Sequence, residues 1–548
     1  PQRIFHVVER RTVIDSAVEY AADIAEAINS ATTPEKDPVL FPVRAALAKL
    51  LGEDRKDSEG SADPVRVAGV HGESPDLRDT WRSTGCTVVS LTAEQFVSRL
   101  LFRGFSIGSG VRPIAAALCG VDRLVLFDEP HLAEQAVHTI LDSERLQRRA
   151  EAPLGLPART VLLGATVPAS LGALDPYGQG GGRQFSFDPA AEVAGSDAMT
   201  RLAAVRRARI RWGTGSDADT AQQLVAAAQE TWAAGAKRIV VFANTVALAQ
   251  AVCKKLDAAA GKTASTAAQR VRLLTSRFRD AERAELPHGL FEEPCTIVAT
   301  QTLEVGVDVS FDALVTESCS WSALVQRLGR LNRDGESNPG RAEIVCGWDE
   351  RRDAPIVRAA TRSVYDGPGI ERLLALLRVL EEEQGGEIDL GYDGLARIAD
   401  RDDFDATALD GPAPRIATLH SEMLPLVAQT RPVSSPDLPL ASLIDGPDAR
   451  ARPEARIAWR ADLAAFDAEP SCRVDPNEFV TVPRSALRAF LRGDTRAAAG
   501  FADTGTTEVD ARPGPWAEGA RLEEMRVWDR DAELWRRPAD GVEVEEAA

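Results

Sequence analysis

Short apolar runs alternate with amphipathic stretches through the first 350 residues of the chain. RIFHVV at 3–8 is followed by VIDSAVEYAADIAEAI at 13–28, whose apolar positions have helical spacing. Such alternation is typical of βαβ units on a parallel sheet. A glycine-rich break at 175–189 divides the pattern, so we predict two α/β, RecA-like lobes. Further runs predicted as strands lie at 87–91, 123–127, 160–164, 238–243, 271–275, 296–300, 313–317 and 342–347.

The pattern changes after about residue 365. A helix with heptad-like leucines at 370–383 leads into Asp- and Pro-rich sequence at 384–455, where periodicity is weak. We therefore predict three domains. They are a first lobe at 1–195, a second lobe at 196–365, and a linker helix with a smaller C-terminal accessory domain at 366–548.

Composition and charge narrow the class of protein. The 548 residues are 44% hydrophobic and 27% charged, as in globular chains of several domains. The sequence has neither an apolar run of about 18 residues nor a signal-peptide pattern, so we expect a cytoplasmic protein without a membrane partner. The seven cysteines lack zinc-site spacing. A net charge of −19 excludes a protein that coats nucleic acid nonspecifically, yet arginines cluster locally, as at 206–211.

Two carboxylates directly follow one predicted strand. The run RLVLFDEPHLAEQ places Asp128 and Glu129 at the carboxyl end of an apolar strand, where open parallel sheets bind ligands. A magnesium-bound phosphate suits this pair, because Asp128 can hold the Mg²⁺ shell and Glu129 can polarise an attacking water. The alternative is an acidic turn in which Asp128 caps the next helix.

The segments TVLLGATVPAS, IVATQTLEVGVDVSFD and QRLGRLNR follow this box in order. Strand-edge carboxylates, a Gly-Ala-Thr switch, a Gly-x-Asp turn and a paired-arginine helix together resemble a superfamily 2 DExH helicase. The resemblance assigns motif II to Asp128 through His131, motif III to Gly164 through Thr166, motif V to Thr300 through Asp308, and motif VI to Gln326 through Arg333. It implies that Thr166, Gly306 and Asp308 belong to the nucleotide site.

The spacing within motif VI has a physical meaning. Gln326, Arg330 and Arg333 stand at i, i+4 and i+7, which predicts that they share one helical face. Two guanidinium groups could then reach the γ-phosphate across a cleft, while Gln326 bonds nucleotide or water. The alternative is an arginine-rich surface helix. Gly306 and Asp308 would allow a tight turn that senses the ribose or the opposite lobe.

Longer stretches narrow the family. The segments 10–17, 94–105, 240–250, 273–286 and 300–335 are similar to the signature helicase of type I CRISPR interference, most of all the type I-G variant, formerly I-U. This resemblance covers about residues 1–350. It implies an ATP- and Mg²⁺-dependent motor that is recruited by the guide-RNA surveillance (Cascade-like) complex and pulls single-stranded DNA 3′-to-5′. An HD nuclease domain cuts the strand in that family. A superfamily 2 repair or RNA helicase is disfavoured by the same stretches.

The resemblance also implies a DNA path. Hydroxyl, amide and guanidinium groups at loops and helix N-termini make the sequence-independent phosphate contacts that such a path needs. Local roles are the alternative for four of these residues: Asn244 or Thr245 as a helix N-cap, and Ser98 and Arg99 as buried helix-pairing residues. The complete set is Arg10, Arg11, Thr12, Ser98, Arg99, Asn244, Thr245, Ser276, Arg277, Thr300 and Gln301.

Two features of that family do not occur in this sequence. The P-loop pattern GxxxxGK[ST] is absent, since the GKT at 261–263 has Leu256 in place of the first glycine. None of the six histidines precedes an aspartate, so an HD nuclease site cannot be built from these residues. We expect both features to lie outside this piece, which alone should hydrolyse ATP negligibly. The alternative function is a noncatalytic DNA- or complex-binding module that retains the helicase fold.

Overall fold

The computed structural model describes residues 2–9, 11–51, 63–70, 85–104, 107–108, 110–152, 158–164, 171, 188, 196–260, 270–275, 294–305, 308–335, 339–428, 440–448, 454–458, 474, 478–483, 487, 527–529 and 534–536. The chain divides into two units. Unit 1 comprises Pro1–Ser186 and Ala413–Ala451, and unit 2 comprises Phe187–Pro412 and Arg452–Ala548. No helix within these described ranges has the length and apolar character needed to cross a membrane.

Unit 1 is built on a five-stranded sheet in which every strand pair is parallel, in the order β2-β3-β1-β4-β5. The strands are β1 (Arg3–Val8), β2 (Val65–Val70), β3 (Cys86–Thr92), β4 (Arg123–Asp128) and β5 (Arg159–Leu163). Its helices are α1 (Arg11–Ser30), α2 (Leu40–Leu51), α3 (Ala93–Leu100), α4 (Arg112–Gly120) and α5 (Glu134–Arg148).

Apolar side chains from strands and helices meet in the core of unit 1. Phe5 on β1 and Phe96 on α3 are fully buried, with ring centroids 5.1 Å apart in an edge-on arrangement. Helix α3 begins directly after β3 because the Thr92 side chain accepts the Gln95 backbone N–H at 3.3 Å. The cap fixes a short strand-to-helix connection at the carboxyl edge of the sheet.

Unit 2 contains an eight-stranded sheet in the order β13-β6-β11-β10-β7-β9-β8, with β12 paired to β11. Its pairs are parallel except β12–β11 and β13–β6. The strands are β6 (Arg206–Gly213), β7 (Arg238–Phe242), β8 (Arg270–Leu274), β9 (Cys295–Ala299), β10 (Ala313–Glu317), β11 (Gly340–Asp349), β12 (Ala354–Ile356) and β13 (Ile388–Asp389). The described α-helices of unit 2 before residue 330 are α6 (Asp197–Leu202), α7 (Asp217–Ala233), α8 (Val246–Ala260) and α9 (Trp321–Leu328). These two sheets confirm the predicted fold of two parallel-sheet α/β lobes.

The chain after residue 356 first stays in unit 2. It forms α10 (Ala359–Arg362), α11 (Gly367–Glu383), α12 (Tyr392–Ala399) and α13 (Ala406–Asp410). The predicted leucine-rich helix is α11, and its Leu373, Leu374 and Leu377 are buried in the same core as β6 and β11. This helix is therefore part of the second lobe's interior.

The next segment belongs to unit 1. Residues 413–448 include α14 (Leu424–Val427) and α15 (Ala441–Ile444), and their Leu419, Val427 and Leu443 join the unit 1 core. Residues 366–451 thus do not form the separate accessory domain that we expected, because their apolar faces complete the two lobes. The exact boundaries at 195 and 365 stay predictions. Two hairpins complete the described part of the chain: β14 (Glu454–Ile457) with β15 (Val480–Pro483), and β16 (Val527–Asp529) with β17 (Leu534–Arg536).

Candidate functional site

Strand β4 ends at Asp128, on the carboxyl edge of the unit 1 sheet. Glu129 follows with φ +50° and ψ 61°, a left-handed conformation that side chains other than glycine rarely adopt. Its N–H donates to the Leu163 carbonyl at 2.8 Å, and its carbonyl accepts the Leu132 N–H at 3.0 Å. These bonds hold a conformation that costs roughly 1–3 kcal/mol, and such strain is concentrated at functional sites.

Two histidines lie beside these carboxylates. His131 Nδ1 is 3.3 Å from Glu129 Oε2. His6 on the neighbouring strand β1 is hydrogen-bonded through Nδ1 to Ser90 Oγ at 3.0 Å. Burial raises the pKa of Asp128, while His6, the Glu129 amide and His131 oppose that rise. Burial also lowers the pKa of His6. The sequence reasoning missed His6, although a histidine inside an apolar strand next to β4 was a visible signal.

The Asp128 environment fits a magnesium-bound nucleotide. Mg²⁺ in phosphate sites usually takes one or two carboxylates and completes its shell with phosphate oxygens and waters. Asp128 is a half-buried carboxylate at a strand end, and the described residues contain no cluster of three or more His, Cys, Asp or Glu side chains that could hold a metal unaided. A metal held by Asp128 would complete its shell with waters or phosphate oxygens.

The geometry of motif VI corrects one prediction. Helix α9 ends at Leu328, and Gly329 is its C-cap. Half-buried Gln326 lies in the last turn, whereas Arg330 and Arg333 lie beyond the helix. The i, i+4, i+7 spacing therefore does not place the three side chains on one helical face, because the helix stops before its second and third members.

The two arginines beyond α9 have different surroundings. Arg330 is buried and donates from Nε to the Leu303 carbonyl at 3.1 Å and from Nη2 to the Glu304 carbonyl at 2.9 Å. Arg333 is half-buried, and its Nε lies 2.6 Å from Oδ1 of Asp308, whose side chain is 74% exposed. Arg330 thus fixes backbone, whereas Arg333 lies where solvent reaches.

Arg327, in the last turn of α9, is a fully buried arginine that we did not predict as a site residue. Arg327 donates from Nε to Glu304 Oε1 at 2.8 Å, from Nη1 to Thr316 Oγ1 at 2.7 Å and from Nη2 to Asn244 Oδ1 at 2.9 Å. Its guanidinium carbon lies 5.0 Å from the centroid of the Phe242 ring. This one side chain joins the ends of β7 and β10 to the turn that follows β9.

A second buried ion pair lies at the end of β10. Glu317 accepts the Asn244 backbone N–H at 2.9 Å and pairs with Arg358 Nη1 at 2.5 Å. Arg358 also donates to Asp217 at the start of α7 at 2.7 Å. The carboxyl edge of the unit 2 sheet is thus filled by protein hydrogen bonds and ion pairs.

Four predicted DNA contacts lie in the protein interior. Ser98, Arg99, Asn244 and Thr300 are each at most 4% exposed. Ser98 Oγ and Arg99 Nη1 both donate to the Gln95 carbonyl, at 3.2 and 2.9 Å. We therefore replace the predicted phosphate contacts of these four residues by interior structural roles, because side chains that are bonded inside the fold cannot contact DNA.

The region around Asn244 has local structural roles as well. Thr245 Oγ1 accepts the Leu248 N–H at 3.3 Å just before α8, which is the N-cap role given as the alternative. Asn244 Nδ2 donates to the Ser318 carbonyl at 2.7 Å. Half-buried Gln301 donates from Nε2 to the Asn244 carbonyl at 3.1 Å.

The remaining predicted site residues lie outside what the structure describes. For Arg11 and Thr12 the backbone belongs to α1, and their side chains are outside the described set. Predictions that fall outside the described residues altogether concern Arg10, Thr166, Ser276, Arg277, Gly306 and the GKT at 261–263.

Comparisons with known proteins find similarity over part of this chain. Residues 235–336, from β7 to beyond motif VI, match the family model described as CRISPR-associated nuclease/helicase Cas3, C-terminal. The CRISPR-associated nuclease/helicase Cas3 of Methanothermobacter thermautotrophicus is 33% identical over 129 residues, which cover 21% of this chain and 16% of that protein. The CRISPR-associated helicase Cas3 of Thermoproteus tenax is 33% identical over 134 residues, covering 24% of this chain and 21% of that protein.

A solved structure is similar over a longer stretch. The crystal structure of T. fusca Cas3-ATP has a TM-score of 0.49 at 16% identity, and the alignment covers 73% of this chain and 47% of that one. The alignments with the two relatives span less than a quarter of each relative's length. The resemblance to CRISPR-associated helicases is confirmed by the family model and these relatives, while the type I-G subtype stays a prediction.

Proposed function

We propose, for a chain whose residues 235–336 match a Cas3-like helicase domain, that the protein is the ATP-driven motor of type I CRISPR interference. The motor is recruited by a guide-RNA surveillance complex and pulls single-stranded DNA 3′-to-5′ towards an HD nuclease. One observation carries the proposal: the domain match covers motifs IV to VI, and the same chain holds the Asp128–Glu129 pair at a parallel-sheet edge.

The unit 1 residues have distinct roles in this proposal. Bound Mg²⁺-ATP supplies a γ-phosphate that water can attack. Asp128 would hold the metal, and the Glu129 carboxylate would orient the water and accept its proton. The bond from the Glu129 N–H to the Leu163 carbonyl fixes the backbone that carries this carboxylate. His131, 3.3 Å from Glu129, limits the positions that the carboxylate can take.

The unit 2 residues divide into supporting and reactive groups. Arg330 is bonded to two backbone carbonyls, so its role is to hold the turn that follows β9. Arg333 pairs with an exposed carboxylate, Asp308, and exchanging that partner for a phosphate oxygen costs little because exposed ion pairs are weak. We therefore assign the γ-phosphate contact to Arg333 and keep Gln326 as its neighbour in the nucleotide site.

The overall charge shapes the DNA proposal. A chain of net charge −19 repels a nucleic acid over most of its surface, so the strand needs a narrow, locally positive path. The remaining proposed members of that path are Arg10, Arg11, Thr12, Thr245, Ser276, Arg277 and Gln301. Burial removes Ser98, Arg99, Asn244 and Thr300 from it.

Strand displacement by the full-length natural protein tests the proposal. We expect DNA-stimulated ATP hydrolysis, and unwinding of a duplex with a 3′ single-stranded tail but not of one with a 5′ tail. Binding of DNA without any ATP turnover would favour the noncatalytic module instead. Unwinding from the 5′ tail alone would refute the assigned direction.

A further inference from the structure

Tyr365 is the last residue before the predicted linker helix, and its hydroxyl joins three residues of the unit 2 edge. Its hydroxyl oxygen lies 3.0 Å from Arg327 Nη2 and 3.4 Å from Gln301 Nε2, which both donate to it. The hydroxyl donates in turn to Glu304 Oε1 at 3.2 Å. Both ends of the 301–304 turn therefore share one hydroxyl group.

Asp410 makes a similar contact at the start of α9, the helix that leads into motif VI. Its Oδ1 accepts the Ser322 backbone N–H at 2.7 Å, and its Oδ2 accepts the Ser322 hydroxyl. Ser322 is the second residue of α9, where a carboxylate satisfies an orphan N–H and interacts favourably with the helix dipole. Phe404 adds an edge-on ring contact to Trp321, with centroids 5.1 Å apart.

The segment that carries these residues is firmly packed. Between Tyr365 and Asp410 the chain forms α11, whose Ile370, Leu373 and Leu374 are at most 1% exposed in the core of unit 2. A closely packed helix holds the residues on either side of it in fixed positions, because a densely packed interior resists deformation. Tyr365 and Asp410 are thus rigid supports for the 301–304 turn and for the start of α9.

We propose that Tyr365 and Asp410 are positioning residues, through which residues 359–412 hold the 301–304 turn and the start of α9 in the arrangement that couples DNA binding to ATP hydrolysis. This inference rests on the proposed motor function. Gln301 is a predicted DNA contact, and the Tyr365 hydroxyl links it to Glu304, whose carboxylate binds Arg327 within motif VI. Neither residue touches nucleotide or DNA in this proposal.

Tyr365→Phe tests the first support, because it removes one hydroxyl and keeps the buried ring. We expect the single-stranded DNA concentration that half-saturates ATPase stimulation to rise about tenfold, as for loss of a buried hydrogen bond to a charged group, with turnover at saturating DNA within about twofold of wild type. Tyr392→Phe is the matched control, since Tyr392 is 44% exposed at the start of α12. It should change neither quantity.

Asp410→Asn tests the second support. The amide keeps the size of the side chain but removes the charge from the start of α9, and we expect the half-saturating DNA concentration to rise about threefold. Asp402→Asn removes an equal charge from an exposed position of the same unit and should have no effect. Equal DNA dependence in Asp410→Asn and Asp402→Asn would overturn the role of Asp410.

Amide hydrogen exchange separates failure of this inference from failure of the motor proposal. The Glu304 N–H donates to the Gln301 carbonyl at 3.2 Å, so a loosened turn exposes that amide. If the wild-type protein shows no DNA-stimulated hydrolysis, the motor proposal fails. In that case, the role of Tyr365 in holding the turn is supported only if the Glu304 amide exchanges about tenfold faster in Tyr365→Phe than in Tyr392→Phe. Equal exchange and equal DNA dependence in the two variants would overturn the role of Tyr365.

Discussion

The carboxyl edges of the two sheets differ in how their polar side chains are bonded. In unit 1, Asp128 and Glu129 are half-buried, and the Glu129 backbone is strained. In unit 2, Glu304 and Glu317 are almost fully buried, and arginines are bonded to both. The same topological position therefore serves two purposes. One edge keeps its acids accessible for a ligand, and the other uses its acids to fix the loops around it.

This difference predicts which measurements respond to mutation. A half-buried acid with a strained backbone contributes to chemistry more than to folding. A buried ion pair has the opposite balance, because removing one member leaves an uncompensated charge in the interior. Substitutions in unit 1 should therefore change turnover, and those within the unit 2 network should change stability.

Glu129→Gln gives the largest expected effect. The amide preserves the shape of the side chain but cannot accept a proton from water. ATP hydrolysis by the full-length natural protein should therefore fall at least about 10³-fold while nucleotide remains bound. Single-turnover hydrolysis and nucleotide binding are the measurements. Glu151→Gln, at an exposed position of the same unit, should behave as wild type. Turnover close to wild type in Glu129→Gln would contradict the catalytic role that we assign to the unit 1 edge and not to the acids of unit 2.

Arg333→Ala and Arg330→Ala sharpen the comparison within unit 2. Loss of Arg333 should lower turnover about 10³-fold, as expected for a phosphate-contacting arginine, with little change in the free energy of unfolding. Loss of Arg330, in contrast, should lower the free energy of unfolding by about 1.5–3 kcal/mol, because two carbonyls lose a charged donor. Turnover and urea unfolding are measured on both variants. Normal hydrolysis by Arg333→Ala would reduce Arg333 to a partner of Asp308.

Arg327→Met should be the most destabilising change in the unit 2 network. It leaves Glu304 buried without its charge partner, and we expect a loss of about 3–5 kcal/mol in the free energy of unfolding. Arg209→Ala is the matched control, since Arg209 is 56% exposed and pairs with exposed Glu387 at 3.1 Å. That pair should contribute at most about 1 kcal/mol. Equal unfolding curves for the two variants would contradict the stabilising role of the buried ion pairs at the unit 2 edge.

The smallest effect concerns the salt dependence of DNA binding. Arg277→Ala should reduce the slope of log affinity against log salt by about 0.7, the value for one lost single-strand phosphate contact. Arg99→Met should leave the slope unchanged, because that guanidinium is buried and bonded to Gln95. Oligonucleotide titrations on two unrelated sequences measure both. A reduced slope in Arg99→Met would return Arg99 to the DNA path.

Sequence periodicity predicted nine of the thirteen strands described in the two sheets and missed four: β2, β6 and the short β12 and β13. The first two were missed for identifiable reasons. β6 alternates arginines with Ala208, Ile210 and Trp212, and its charges resembled a basic patch. In the structure those arginines pair with acids, as Arg211 does with Glu343 at 2.6 Å. β2, VRVAGV, has Arg66 and Gly69 among only four apolar residues, so its pattern was too short to stand out.

Motif spacing located the chemistry of the site better than its geometry. It placed Asp128 and Glu129 at a strand end, where the structure has them. It extended α9 past Gly329, because spacing alone does not show where a helix is capped. Arg327 was detectable, since it stands three residues after buried Leu324 and next to buried Leu328 and so falls on the apolar face. The partners of that arginine depend on distant residues and could not be predicted locally.

The division of unit 1 into two stretches of sequence also has a consequence for synthesis. Leu419, Val427 and Leu443 complete its core, yet they are made only after the whole of 187–412. At typical translation rates of about 5–20 residues per second, the first lobe waits on the order of 10–45 s for these side chains. During that interval its unfinished apolar surface is a target for chaperones, while the second lobe already has most of its own sheet. The nascent chain therefore contains all eight strands of the second sheet before it contains the side chains that complete the core of unit 1.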